Sequence, residues 1–98
     1  MHQLFVLFYD YVPDVLERRP PHREAHLTRV RAAHDAGDLV MAGALGDPPH
    51  GAAIVFRSAE AAGRFVAEDP YLSAGLVTAH RIEPWSVVVP EDDPGAAS

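Results

Sequence analysis

Two residues of this chain have the types and placement that proton-transfer chemistry needs. They are His26, in "REAHLTRV", and Asp69, at the end of "AEAAGRFVAED". An imidazole titrates near neutral pH. A carboxylate beside it fixes the ring and stabilises its protonated form, which makes the pair a general acid/base unit. Both side chains must then point inward and meet. At about 100° per residue, His26 shares a helix face with Leu27, Val30 and Ala33, and Arg23 and His34 fall within the same stripe. Asp69 falls between Ala62 and Phe65 on the apolar stripe of a second helix. An inward carboxylate at a helix C-terminus is opposed by the dipole, so it requires a cation or a hydrogen-bond donor.

Placing the two residues requires the surrounding elements. Gln3 to Tyr9 is almost continuously apolar, which predicts a strand covered on both faces. A helix starts at Pro21, where a missing N–H costs nothing, and stops at Gly37. "LVMAGALG" and "GAAIVFR" read as two strands with "DPPH" in the turn between them. Ser58 caps the second helix, and "LVTAHRIEPWSVVV" reads as a last strand whose Pro84 assigns it to a sheet edge or a bulge.

The order βαββαβ predicts an α+β, ferredoxin-like fold: a four-stranded antiparallel sheet with two helices on one face. The unbroken apolar strands need cover on the other face. A second copy of the sheet supplies it, so a homodimer with facing sheets is expected. The competing arrangement is a monomer covered by the Val12–Arg19 segment and the tail. Residues 1–89 form the expected domain, and 90–98, with Glu91, Asp92 and Asp93, form an acidic tail expected to be disordered.

In this topology the helices run antiparallel, so the start of the first lies beside the end of the second. The same rim receives the end of the first strand, the start of the last and the turn between the middle strands. His26, Asp69, Arg23, Tyr9 and Tyr71 should therefore surround one cleft. His26 and Asp69 are the catalytic candidates; Arg23, Tyr9, Tyr71, Phe8 and Gly43 are candidates for substrate contact. The plainer alternatives are a structural pair that pins the helices together, a solvated arginine and rim aromatics. His22 and His26 are spaced as H-x-x-x-H, but no Glu follows His22 and no third ligand is evident, so no metal is expected. No phosphate cradle, nucleophile elbow or dinucleotide fingerprint is present, and no cofactor is expected.

The 98-residue chain has a formal net charge of −6, which opposes binding to phosphate backbones and argues against a nucleic-acid partner. It contains no cysteine, which removes disulfides and thiolate chemistry and fits the reducing cytoplasm. The apolar start lacks a basic lead and a cleavage site and is too short to span a bilayer. It is read as a strand, with no membrane partner expected.

The segments "REAHLTRV", "GDLVMAG" and "GAAIVFRSAEAAGRFVAEDPYLSAGLVTAHRIEPWSVV" resemble the YciI-like, or YCII-related, family over roughly residues 3–89. The combination of R-x-x-H-L with "DPY", "AGL" and a "PW" ending carries the resemblance. It implies a ferredoxin-like fold, dimerisation into an α+β barrel, and a site on a His–Asp pair, here His26 and Asp69. One branch of the family is associated with dehydrochlorination of chlorinated hydroxyquinols. After Gly43, where many members continue with proline, this chain has Ala44 and Leu45. Two functions are expected from this. One is a cofactor-independent enzyme for elimination or isomerisation of a small oxygenated or aromatic molecule. The other is a non-catalytic dimeric module that binds a metabolite or a partner protein.

Overall fold

A computed structural model describes residues 2–92. Strand β1 (His2–Tyr11) is followed by two helices, α1 (Val15–Arg18) and α2 (Pro20–Asp35). Strands β2 (Leu39–Leu45) and β3 (Gly51–Phe56) come next, then helices α3 (Ala59–Glu68) and α4 (Pro70–Ser73), and finally β4 (Val77–Val87). The sheet order is β2-β3-β1-β4 and every pairing is antiparallel, as the ferredoxin-like order requires. Pro84 lies on the edge strand β4. The sequence reading of the helices differs at two points. Helix α2 begins one residue earlier, at Pro20, and the single-turn helices α1 and α4 are additional; four residues are too few to show a hydrophobic period. Of the expected tail, 93–98 lie outside the described residues, while the Glu91 carbonyl is 2.6 Å from His2 Nδ1.

Strand alternation divides the sheet into two apolar faces. Leu7, Tyr9, Ala52, Ile54, Phe56 and Leu39 turn towards the helices and pack with Ala61, Ala62, Phe65 and Val66 of α3. Leu4, Val6, Val55 and Val87 form a second cluster on the opposite face, joined by Phe8, Val40 and Ala53. This opposite face is concave, with a volume of about 580 Å³, and at its margin Met41 and Trp85 remain 55% and 47% exposed. Among the described residues, no helix is long and apolar enough to cross a membrane.

Three local features fix where these elements end and how closely they approach. Ser58 caps α3 by accepting from the Ala61 N–H at 3.1 Å. Gly37 ends the α2 turn with φ 86°, a left-handed conformation suited to glycine. At Gly51, packed under β1, a Cβ would run into the Tyr9 carbonyl oxygen, so only glycine allows β3 to approach there.

Candidate active site

Asp69 stands between two helices. It follows Glu68, the last residue of α3, and precedes Pro70, which disfavours helical geometry in the residue before it. Its backbone is accordingly extended (φ −72°, ψ 123°), so α3 ends there and the side chain becomes the N-cap of α4, accepting from the Tyr71 N–H at 3.1 Å. The carboxylate thus meets a helix start, where amide donors face it, instead of only a helix end.

The structure brings His26 and Asp69 together. His26 is the one buried residue of α2, and its Nδ1 lies 2.8 Å from Asp69 Oδ1. The Tyr9 hydroxyl donates to Asp69 Oδ2 at 2.6 Å. Each carboxylate oxygen therefore has a donor, which offsets the cost of burying it at 2% exposure. Burial alone pushes the Asp69 carboxyl up. The His26 and Tyr9 hydrogen bonds, the charge of His26 and the Tyr71 N–H together outweigh it and hold the group below the usual carboxylate range. Asp69 is then an acceptor only, so His26 Nδ1 carries the proton. In the neutral ring the lone pair is on Nε2. Burial, reinforced by the Asp69 hydrogen bond, pushes the Tyr9 phenol far above its ordinary range, so Tyr9 stays a donor.

Tyr71 holds the ring from one face. Its centroid is 3.8 Å from that of His26 and the planes are 7° from parallel, while Phe65 meets the imidazole edge-on at 6.2 Å. Arg29 joins the two helices behind the site: it donates to the Phe65 carbonyl at 2.9 Å and lies 4.8 Å over the Phe65 ring.

A cleft of about 290 Å³ opens in front of the imidazole, between α2 and the ends of β2 and β3. His26, Tyr71, Arg23 and Gly43 line it. Tyr9 does not; it supports Asp69 from behind. Phe8 must be reassigned. It was expected at the same rim, but strand alternation puts it on the opposite face, where it borders the other concavity beneath Arg81. Sequence reasoning missed Tyr11 and Arg19, which also line the cleft. A lone tyrosine after a strand and an arginine in a basic run carry no signal that separates them from surface residues. Tyr11 is pushed up to about 12, mainly by burial and also by Tyr71 and Asp69, against the pull of Arg19 and Arg23. No cluster of three or more His, Asp or Glu side chains suited to a metal ion occurs among the described residues.

The chain is similar to known proteins in sequence and in fold. The model of the YCII-related domain matches residues 3–86. Protein YciI of Escherichia coli and that of Shigella flexneri are each 33% identical, over 87% of this chain and 98% of theirs. Among solved structures, 5-chloro-2-hydroxyhydroquinone dehydrochlorinase from Burkholderia phenoliruptrix, in complex with 2,5-dihydroxybenzoquinone, superposes with a TM-score of 0.69 at 24% identity. The match covers 85% of this chain and 93% of that one. Protein Atu4242 from Agrobacterium tumefaciens gives a TM-score of 0.58 at 13% identity, covering 94% and 97%. At those identities the structural likeness is one of fold. On the domain match and the curated relatives together, the chain belongs to the YCII-related domain family.

Proposed function

We propose that the chain is a cofactor-independent enzyme that moves a proton on a small oxygenated or aromatic molecule held in the cleft before His26. The observation that carries this reading is the 2.8 Å contact between His26 Nδ1 and Asp69 Oδ1, both residues buried, with His26 lining an open cleft and Asp69 behind it. Perturbed, paired titratable groups beside a cleft mark functional sites more often than packing devices. His26 Nε2 takes the substrate proton as a general base, and Asp69 orients the ring and stabilises the resulting imidazolium. In an elimination, the electrons of the broken bond to hydrogen form the new double bond, and a leaving group such as chloride departs with its pair. In an isomerisation, the imidazolium returns the proton at another carbon.

The reading extends to a homodimer in the cytoplasm whose sheets face each other. The second apolar cluster and the exposed Met41 and Trp85 support it, because a concave apolar face of this kind is seldom left to water.

The first substrate to try is the one named for the Burkholderia neighbour, 5-chloro-2-hydroxyhydroquinone, in a panel with other halogenated phenols. Released chloride and exchange of substrate hydrogen with solvent deuterium would be followed in wild type, His26→Asn and Asp69→Asn. Turnover in wild type that both variants lose is the expected result. Ligand binding with neither turnover nor exchange across the panel would instead favour a non-catalytic binding module.

A further inference from the structure

The chain is acidic, with eight basic side chains, all arginine, against 14 carboxylates. Most of the arginines are neutralised. Arg18, Arg29, Arg31, Arg64 and Arg81 face carboxylates, and Arg57 donates to the Gly37 carbonyl. Arg19 and Arg23 are different: Arg19 bonds through its backbone, but neither guanidinium group makes a hydrogen bond or ion pair among the described residues. Both line the cleft before His26, and that lining contains no Asp or Glu. Two unpaired guanidinium groups in the wall of a recess, on a protein of net charge −6, give the mouth a local field opposite to that of the whole molecule.

A second observation is independent of charge. Tyr71 also lines the cleft and is 1% exposed, yet its hydroxyl has no partner among the described residues. A buried hydroxyl without a partner is costly, and native structures usually supply one. Tyr11 lies edge-on to Tyr71, with centroids 6.1 Å apart, so two phenol groups stand beside the two guanidinium groups. The helix itself offers few amide donors here, because Pro20 and Pro21 occupy its first two positions. Recognition at this end therefore falls to side chains.

We propose that this end of the cleft is an oxyanion subsite. Arg19 and Arg23 receive the carboxylate or ionised hydroxyl of a small molecule, Tyr71 and Tyr11 donate to it, and Leu27, Val30 and Ile54 contact its apolar body. The proposal rests on the reading of the cleft as the reacting pocket and assigns its substrate class: a singly charged organic oxyanion. A guanidinium also stabilises negative charge that grows on oxygen as a neighbouring carbon loses a proton to His26.

The test is calorimetric titration of the full chain with benzoate, with 4-nitrophenolate at a pH where it is ionised, and with benzamide as the uncharged counterpart of benzoate. Wild type should bind at least one anion about tenfold or more tightly than benzamide. Arg19→Gln and Arg23→Gln should each weaken that binding roughly tenfold, as expected for a hydrogen bond to a charged group. Tyr71→Phe, which keeps the ring stacked on His26, should weaken it several-fold, and Arg31→Gln should not change it. A stronger response to benzoate marks a carboxylate site, and a stronger one to 4-nitrophenolate marks a phenolate or enolate site. Binding of neither anion more tightly than benzamide, or arginine variants that bind like wild type, overturns the proposal. His26→Asn separates it from the enzymatic reading. Turnover lost in that variant with anion binding indifferent to the arginines defeats the subsite alone. Turnover retained in His26→Asn while the arginine variants lose the anion defeats the proton-transfer reading alone.

Discussion

Tyr9 donates its hydroxyl to Asp69 Oδ2 at 2.6 Å, from a strand sixty residues earlier in the chain. Asp69 Oδ1 meanwhile accepts from His26 and from the Tyr71 N–H. Tyr9 is therefore a positioning residue: it does not line the cleft, but it fixes the plane of the carboxylate that fixes the imidazole. Tyr9→Phe keeps the ring and removes one donor. It should destabilise the fold by about 1–3 kcal/mol, the cost of an unsatisfied buried acceptor. It should also raise the pH at which Asp69 protonates. Urea unfolding gives the first quantity and carboxyl titration by carbon NMR gives the second. An unchanged Asp69 titration in Tyr9→Phe would mean that the hydroxyl does not hold the charge.

Asp69→Asn addresses orientation directly. The amide retains the shape but carries no charge, and it can present its NH2 to Nδ1, which would move the ring proton to Nε2. Turnover should fall by roughly 10²- to 10⁴-fold, the range for a general acid/base contribution. Nitrogen NMR of His26 should show Nδ1–H in wild type and a mixed or reversed tautomer in the variant. Should the tautomer stay fixed while turnover falls, the stabilisation of the imidazolium is the main role of Asp69.

The depressed pKa of Asp69 makes a statement about stability. A carboxyl held below its ordinary value of 3.8 contributes stability at every pH above that value. The contribution is lost as pH falls through the lower value in the folded protein. Urea midpoints should thus be flat for this group near neutrality and drop below about pH 4. Asp69→Asn should be less stable than wild type at pH 7, and the gap should narrow in acid. A gap that widens as pH falls would reverse the sign of the linkage.

Much of this arrangement follows from spacing along the chain. Helical periodicity turns His26 inward, and the βαββαβ order sets the start of α2 beside the end of α3. The phase of β1 was not legible. Leu4 to Tyr9 is apolar at every position, so nothing in the run says that Tyr9 faces the helices and Phe8 faces away. The cap made by Asp69 did leave a signal, the Asp-Pro dipeptide, which both ends one helix and starts another. The isolation of Arg19 and Arg23 left none, because the pairing of an arginine depends on tertiary neighbours.

Gly51 links the sheet to the site. It pairs with Asp10 and sits against the backbone of Tyr9, where a Cβ would collide with the Tyr9 carbonyl oxygen. A backbone oxygen in the middle of a paired strand cannot swing aside as a side chain can. Gly51→Ala should therefore push β1 from β3 and cost about 1–3 kcal/mol, the range for overpacking. The displacement falls at Tyr9, so the variant should also disturb the Asp69 titration, measured by the same carbon NMR.

The open sheet face supplies the last prediction. Met41 is 55% exposed in the single chain and Trp85 47%, beside a buried apolar cluster on the same face. If two such faces close on each other, sedimentation at micromolar concentration should give twice the 10.6 kDa chain mass. Met41→Asp alters a side chain that the monomer does not bury, so the fold should retain its stability while the association weakens by at least about tenfold. The two readouts separate the cases: a loss of thermal stability at concentrations where only monomer exists would place Met41 in the monomer's own packing. A wild-type chain that sediments as a monomer would leave the face without a second copy.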